Sequence, residues 1–240
     1  KYDYKTGFVV YPERSSGPTG DKAPYIDYGT DLVPPERYIS KEEADLEWQH
    51  MWRKVWSFAG LMQDLQKVGD YFKFDLGKES FIVTRTGPGD NDVAAYYNVC
   101  PHRGNQIVRQ DFGHVDGNFY CDFHGWKWDL DGNNTKVRDE IIFREGALKH
   151  PRCLTQVRCE VWNSLVFVNM DPNAKPLLDY LDAIPQHLKE YPFHEFRVLR
   201  DLHYEWATNW KTGLEAFIEF YHADDVHPQA VPITATLEVQ

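Results

Sequence analysis

Apolar positions recur along this chain with two different periods, and the change of period marks out its elements. Trp48, Met51, Trp52, Val55 and Trp56 fall at i, i+3, i+4, i+7 and i+8, which is one face of a helix. Ser40-x-x-Glu43 just ahead of them is a capping box, so that helix is predicted to start at Ser40. The period then falls to two. Tyr71–Leu76, Phe81–Thr84 and Val93–Tyr97 alternate as short antiparallel strands do, with Gly and Asp turns between them. Lys127–Gly132 predicts a strand running into an Asp-Gly hairpin turn, and Glu160–Trp162 with Leu165–Asn169 predicts a closing pair. From Asp171-Pro172 the pattern changes again: Leu177–Leu188 and Trp210–Tyr221 read as helices, with a strand-like Leu199–Trp206 between them. The first 35 residues, rich in Gly, Pro, Tyr and Ser, read as an extended arm. There is no repeat and no low-complexity tract.

At 240 residues the chain is long enough for one large domain or two ordinary ones, and its 42% hydrophobic content supports a packed core. A net charge of −11 argues against a nucleic-acid surface, because phosphate binding wants a basic footprint. No apolar run approaches a membrane span and no signal-like segment opens the chain, so a cytoplasmic enzyme is expected, with neither nucleic acid nor membrane as partner. Of the four cysteines, Cys153 and Cys159 lie six apart in an apparent strand. They are expected to share a face as buried thiols rather than to form a disulfide.

The other two carry the chemistry. Cys100-Pro101-His102-Arg103-Gly104 and Cys121-Asp122-Phe123-His124-Gly125-Trp126 each pair one Cys with one His, and 18 residues separate His102 from Cys121. A Rieske [2Fe–2S] centre needs this set, both thiolates on one iron and both imidazoles on the other. A structural zinc site is the competing reading. Its usual spacings, however, pair like with like, as C-x2–4-C and H-x3–5-H. Mixed pairs suit a two-iron cluster gripped by two loops, since each loop must touch both irons. His114, between the pairs, has no ligand-type neighbour and reads as a surface loop histidine.

A second constellation lies further on. Glu215, Glu219 and His222 fall at i, i+4 and i+7, a polar stripe on an otherwise apolar helix. His222 and His227, five apart, would stand about 140° around a regular helix and could not reach one metal. Pro228 and the Asp224-Asp225 pair imply that the helix ends after His222, which lets His227 swing back. Two histidines so placed suit the 2-His-1-carboxylate triad of non-haem Fe(II), with positions left open for O2 and substrate. The competing reading is an amphipathic helix with exposed glutamates and a satisfied core histidine.

The two Cys/His strings resemble the Rieske domain of the α subunits of Rieske non-haem iron aromatic-ring-hydroxylating oxygenases, and the likeness runs over about residues 40–230. The later segment is similar to the same family's N-W-K-x3-E-x3-[D/E]-x2-H-x4-H signature at Asn209, Trp210, Lys211, Glu215, Glu219, His222 and His227. The resemblance implies an α+β chain: an arm over 1–40, an all-β Rieske domain over 41–170, and over 171–240 the N-terminal part of a truncated helix-grip catalytic domain. It implies Cys100, His102, Cys121 and His124 as cluster ligands and His222 and His227 as ligands of a mononuclear Fe(II). Glu219 and Asn209 become the candidate catalytic residues, Glu219 as the acid that bridges a cluster histidine to an iron histidine. Asn105 and Phe123 stand where cytochrome bc-type Rieske proteins carry a second pair of cysteines, so the low end of the Rieske potential range, near about −150 mV, is expected. The family's third iron ligand is a carboxylate more than a hundred residues beyond the second histidine, whereas 13 residues follow His227 here. The partners implied are a reductase or ferredoxin as electron donor, O2, a small organic substrate and further subunits, usually as a homotrimer and in some members with a β subunit. The reaction implied is monohydroxylation, dihydroxylation or demethylation. Two competitors remain: a Rieske electron carrier, which has no use for residues 171–240, and a scaffold with a degenerate iron site.

Overall fold

Strand pairing dominates the structure, a computed structural model that describes residues 2–3, 8–9, 32–150, 152–218 and 222–227. Its contacts divide the chain into two units, Asp45–Asp201 and, separately, Lys1–Ala44 with Leu202–Gln240. In the latter, β1 (Tyr2–Asp3) pairs antiparallel with β2 (Phe8–Val9). A single turn of helix, α1 (Glu36–Ile39), precedes α2 (Lys41–Glu47). Half of the predicted capping box forms: the Glu43 N–H donates to Ser40 Oγ at 3.3 Å. The other half does not, because the Ser40 N–H already closes α1 on the Glu36 carbonyl at 2.8 Å.

The apolar helix predicted through Trp56 ends early. Past α2 the chain makes a π-turn over Trp48–Trp52 and then leaves the helix, since residues from Ser57 onward are claimed by a strand ladder. Trp56 alone of the five predicted face residues is buried; it packs on Leu177 and Leu181 and donates its indole N–H to the Lys175 carbonyl at 2.9 Å.

The strands follow as β3 (Ser57–Leu61), β4 (Asp70–Leu76), β5 (Glu79–Arg85), β6 (Val93–Tyr97), β7 (Phe112–His114), β8 (Asn118–Tyr120), β9 (Lys127–Asp129), β10 (Asn134–Lys136), β11 (Gln156–Trp162) and β12 (Leu165–Asn169). Seven form an antiparallel sheet in the order β3-β12-β11-β6-β5-β4-β7, and three form a second in the order β10-β9-β8. The larger sheet turns at β11, which pairs with β6 through Gln156 and Val157 and with β12 through Arg158–Trp162. Alternate residues therefore fill two cores. Tyr71, Ile82, Ala94 and Tyr96 face Phe119, Trp126 and Trp128 of the smaller sheet and its loops. Phe72, Phe81, Val83 and Ala95 face Leu65, Val157, Val166 and Val168. Burial on both faces explains why β5 reads as a run, Phe81-Ile82-Val83-Thr84, rather than as a clean alternation. The strands not named from the sequence, β1, β2, β3, β7, β8 and β10, are only two to five residues long, too short for a period-two signal to stand out.

Further elements correct the sequence reading. The helix expected over Leu177–Leu188 is two, α3 (Leu177–Leu181) and α4 (Ile184–His187), broken at Asp182, whose φ is 49°. Pro185 lies in the first turn of α4, the one place in a helix where its missing N–H costs nothing. Leu199–Trp206 forms no strand among the described residues: alternation makes a strand only when an edge is there to pair with. His114 is on β7 rather than in a loop, its Nδ1 2.8 Å from Asp70 Oδ1. That bond to Asp70 raises the pKa of His114. Cys153 and Cys159 do not share a face, since Cys153 lies exposed ahead of β11 while Cys159 is on it. Both are free thiols, and burial pushes Cys159 up to about 12. The last helices are α5 (Trp210–Phe217) and α6 (Ala223–Val226).

Trp128 is the residue on which the smaller sheet most depends. It is fully buried, and its indole N–H donates to the Arg152 carbonyl at 2.7 Å. Trp128→Ala should destabilise the Asp45–Asp201 unit by about 3–5 kcal/mol through the cavity it leaves. A denaturant midpoint unchanged from wild type would show that this core does not hold the second sheet in place.

Candidate cluster and iron site

Two loops of the Asp45–Asp201 unit carry the first set of candidate ligands. One joins β6 to β7 and holds Cys100 and His102; the other joins β8 to β9 and holds Cys121 and His124. They are built alike. The Cys100 N–H donates to the Asn105 carbonyl at 2.7 Å, and the Gly104 N–H returns to the Cys100 carbonyl at 2.8 Å. In the second loop the Cys121 N–H donates to the Trp126 carbonyl at 2.9 Å, and the Gly125 N–H to the Cys121 carbonyl at 2.9 Å. Each turn closes through a glycine in the left-handed region, Gly104 at φ 73° and Gly125 at φ 72°, which explains a Gly four residues after each Cys. Inside each turn the N–H groups of the second and third residues after the Cys point at its sulfur: His102 and Arg103 at Cys100, Phe123 and His124 at Cys121. Such donors stabilise negative charge on sulfur.

The four side chains are grouped by type. The Cys100 and Cys121 thiols are both buried, lie close enough to shift each other's ionisation, and are not in a disulfide. The imidazoles of His102 and His124 stand edge to face, ring centres 4.6 Å apart. No three His, Cys, Asp or Glu side chains among the described residues close on a single ion. A sulfur pair beside an imidazole pair is the division that a two-iron Rieske cluster makes, one metal to each pair. Burial pushes both thiols up. At Cys121 the donors from Phe123, Asn105 and His124 outweigh it and hold the pKa below the ordinary thiol value, whereas Cys100 stays above it. Burial, then the neighbouring His124 and Arg103, lowers His102 and keeps its imidazole neutral, the form that ligates metal. Its Nδ1 is buried without a hydrogen-bond partner, an arrangement that costs stability unless something else takes the lone pair. These residues fit a [2Fe–2S] cluster.

Several residues that shape the site, some of them inside the Cys/His strings, were given no role by the sequence. Asn98 is buried and closes the first loop: its Oδ1 accepts from the Ile107 and Val108 N–H groups at 3.0 and 2.9 Å, and its Nδ2 donates to the Val108 carbonyl at 2.8 Å. Trp126 stacks on His102, ring centres 4.8 Å apart and planes within 8°. Arg109 of the first loop pairs with Asp122 of the second, which holds the Asp122 carboxyl below the usual range. A cleft of about 1010 Å³ beside β3, lined by Phe58, Phe112, Phe193 and Phe196 among others, contains none of the four ligands and is not part of this site.

The second set lies in the other unit. Asn209 caps α5, its Oδ1 accepting from the Lys211 N–H at 3.0 Å, and its Nδ2 donates to the Tyr38 carbonyl at 2.9 Å. Glu215, on the predicted polar stripe, accepts from the Tyr38 hydroxyl at 2.9 Å. The helix ends at Phe217, four residues before its predicted end at Tyr221. His222 and His227 then flank the single turn of α6, and their rings come within 5.4 Å at 72°. One helical turn lies between them, closed by the Val226 N–H on the His222 carbonyl at 2.9 Å, rather than the exit straight after His222 that the sequence predicts. His227 stands just past that turn, off the regular helix that would set it about 140° away. Glu219 lies outside the described residues, as does Pro228.

Comparison with known proteins gives two family matches on this chain: the Rieske [2Fe-2S] domain over residues 55–141 and the ring hydroxylating alpha subunit (catalytic domain) over residues 193–238. The carnitine monooxygenase oxygenase subunit of Escherichia coli K12 is 29% identical over 199 residues, covering 82% of this chain and 52% of the relative. The methanesulfonate monooxygenase hydroxylase subunit alpha of Methylosulfonomonas methylovora is 33% identical over 198 residues, 77% of this chain and 47% of the relative. Among solved structures, a quaternary ammonium Rieske monooxygenase in complex with L-carnitine superposes with a TM-score of 0.76 at 25% identity, over 86% of this chain and 57% of that one. The chain thus spans about half the length of the relatives it matches. With a mostly β Rieske domain followed by part of a helical catalytic domain, it belongs to the α subunits of the Rieske non-haem iron oxygenases, whose cofactors are a [2Fe–2S] cluster and a mononuclear iron.

Proposed function

We propose that this chain is the cluster-bearing part, with two of the iron ligands, of a terminal oxygenase subunit that hydroxylates or demethylates a small organic substrate with O2. The observation that carries the reading is the presence, on one chain, of two matched Cys/His loops and of a separate histidine pair whose ring centres lie 5.4 Å apart across one helical turn. An electron carrier would need only the first. When bound, the cluster supplies single electrons and the mononuclear iron the activation of O2.

The chain's own residues do the rest. Gly104 and Gly125 turn the loops so that their N–H groups face the sulfurs, Trp126 fixes the plane of His102, and burial keeps His102 neutral. His222 and His227 would hold the iron. Asn209 fixes the start of the helix that leads to them, a positioning role, through its cap and its bond to Tyr38. Glu219 we assign as the acid that accepts a hydrogen bond from an iron-ligand histidine and links it to a cluster histidine. The division at residues 40 and 170 between arm, Rieske domain and catalytic domain is part of the same reading. So are a cytoplasmic location, a homotrimer with or without a β subunit, and a separate reductase or ferredoxin fed by NAD(P)H. The relatives named above are a carnitine and a methanesulfonate monooxygenase, and the reading commits to a small organic substrate and no narrower class.

Two measurements on the full-length protein test this. Iron analysis should give three irons per subunit, where a carrier or a degenerate scaffold gives two. Glu219→Gln should keep all three and reduce normally at the cluster, yet re-oxidise slowly in a single turnover with O2 and substrate. Wild-type re-oxidation in that variant would reduce Glu219 to a surface acid, and two irons in the wild type would leave an electron carrier.

A further inference from the structure

Asn105 links the two cluster loops. It belongs to the first, yet its Nδ2 lies 2.9 Å from Asp122 Oδ1 and 3.5 Å from Cys121 Sγ, both in the second, and 3.0 Å from the Gln106 carbonyl of its own. The identity of the amide atoms is fixed by their partners. A carboxylate and a sulfur accept and so must face the NH2 group, whereas Arg109, which only donates, approaches Oδ1 at 3.4 Å. Arg109 also pairs with Asp122, so a cation and an anion hold the amide from opposite sides. The two sulfurs are thereby made unequal. Both receive two backbone N–H donors, but among the described residues only Cys121 has a side-chain amide as well.

We propose that Asn105 is a positioning residue that raises the reduction potential of the cluster by donating a hydrogen bond to Cys121 Sγ, with the Arg109–Asp122 pair aiming the amide. One-electron reduction makes the whole cluster more negative, so a donor already aimed at one of its ligand sulfurs stabilises the reduced state more than the oxidised one. No proton or bond need move. The same contact ties loop to loop at a position where another class of Rieske protein has a cysteine, so a neutral amide here tunes the cluster without closing it covalently. The inference rests on the cluster assignment above and deepens it.

The test is a redox titration of the full-length protein, followed by visible absorbance and by the electron paramagnetic resonance of the reduced form. Asn105→Leu keeps the shape and removes the donor. Near the wild-type midpoint its ratio of reduced to oxidised cluster should fall about tenfold, which is ~59 mV for a one-electron couple. Asn105→Asp, which adds a charge that cannot donate, should fall at least as far. An unchanged midpoint in either variant with its cluster intact overturns the proposal. If both variants fold but hold no cluster, Asn105 serves assembly rather than potential, which also overturns it. A wild type without a Rieske signal would instead remove the cluster assignment itself.

Discussion

Cys121→Ala is expected to give a folded but colourless protein that retains neither the iron nor the sulfide of the cluster. Cys121 is buried close to Cys100 and is the focus of the Phe123, His124 and Asn105 donors. Alanine takes away one of only two thiolates, and nothing else in the loops can supply another, because Cys153 and Cys159 lie on other elements. The Phe123 and His124 N–H groups lose their acceptor, whereas the Asn105 amide keeps Asp122 and the Gln106 carbonyl, so a modestly lowered thermal midpoint should accompany the lost colour. Cys153→Ala is the control: that thiol is exposed, and its removal should leave iron, sulfide and visible absorbance as in the wild type. Wild-type iron and colour in Cys121→Ala would exclude it as a ligand and with it the cluster geometry argued here.

His222→Ala or His227→Ala, in the full-length protein, should abolish product formation while leaving the cluster's spectrum and its reduction by the donor intact. Both histidines belong to the unit that does not contain the cluster loops, so loss of either should not reach Cys100 or His124 through the fold. A triad with one imidazole gone keeps two ligands, and affinity for Fe(II) should fall far enough to give one iron fewer per subunit on analysis. Product formation at the normal rate by either variant would sink their assignment as ligands. Loss of the cluster signal together with activity would show instead that the change had unfolded the protein.

How far the sequence alone could be read depended on how local each interaction is. The cluster loops were fully legible: a Cys, a His and a Gly within five residues make a turn whose backbone bonds all close inside it, so spacing implies geometry. Tyr71–Leu76 and Val93–Tyr97 were legible as strands, since successive apolar residues of each point to opposite faces and fill the two cores in turn. The helix predicted through Trp56 and the strand predicted at Leu199–Trp206 were not, because each was decided by whether a remote strand offered hydrogen bonds: β12 did so for Ser57–Leu61, and nothing among the described residues did so for Leu199–Trp206. Cys153 misled for the same reason, as six residues of separation fix a common face only if every one of them is in the strand.

The amino-acid sequence by itself therefore determined which side chains are the candidate metal donors, since donor type and short-range spacing are properties of a few neighbouring residues. Only the tertiary structure decided how those donors are supported. Asn105 reaches Cys121 across the mouth of the two loops, Trp126 covers His102, and Arg109 meets Asp122. The single turn of α6 sets His222 against His227. Each of these depends on where the chain returns after a loop, a turn or a strand, and a pattern read along one dimension holds no record of that return.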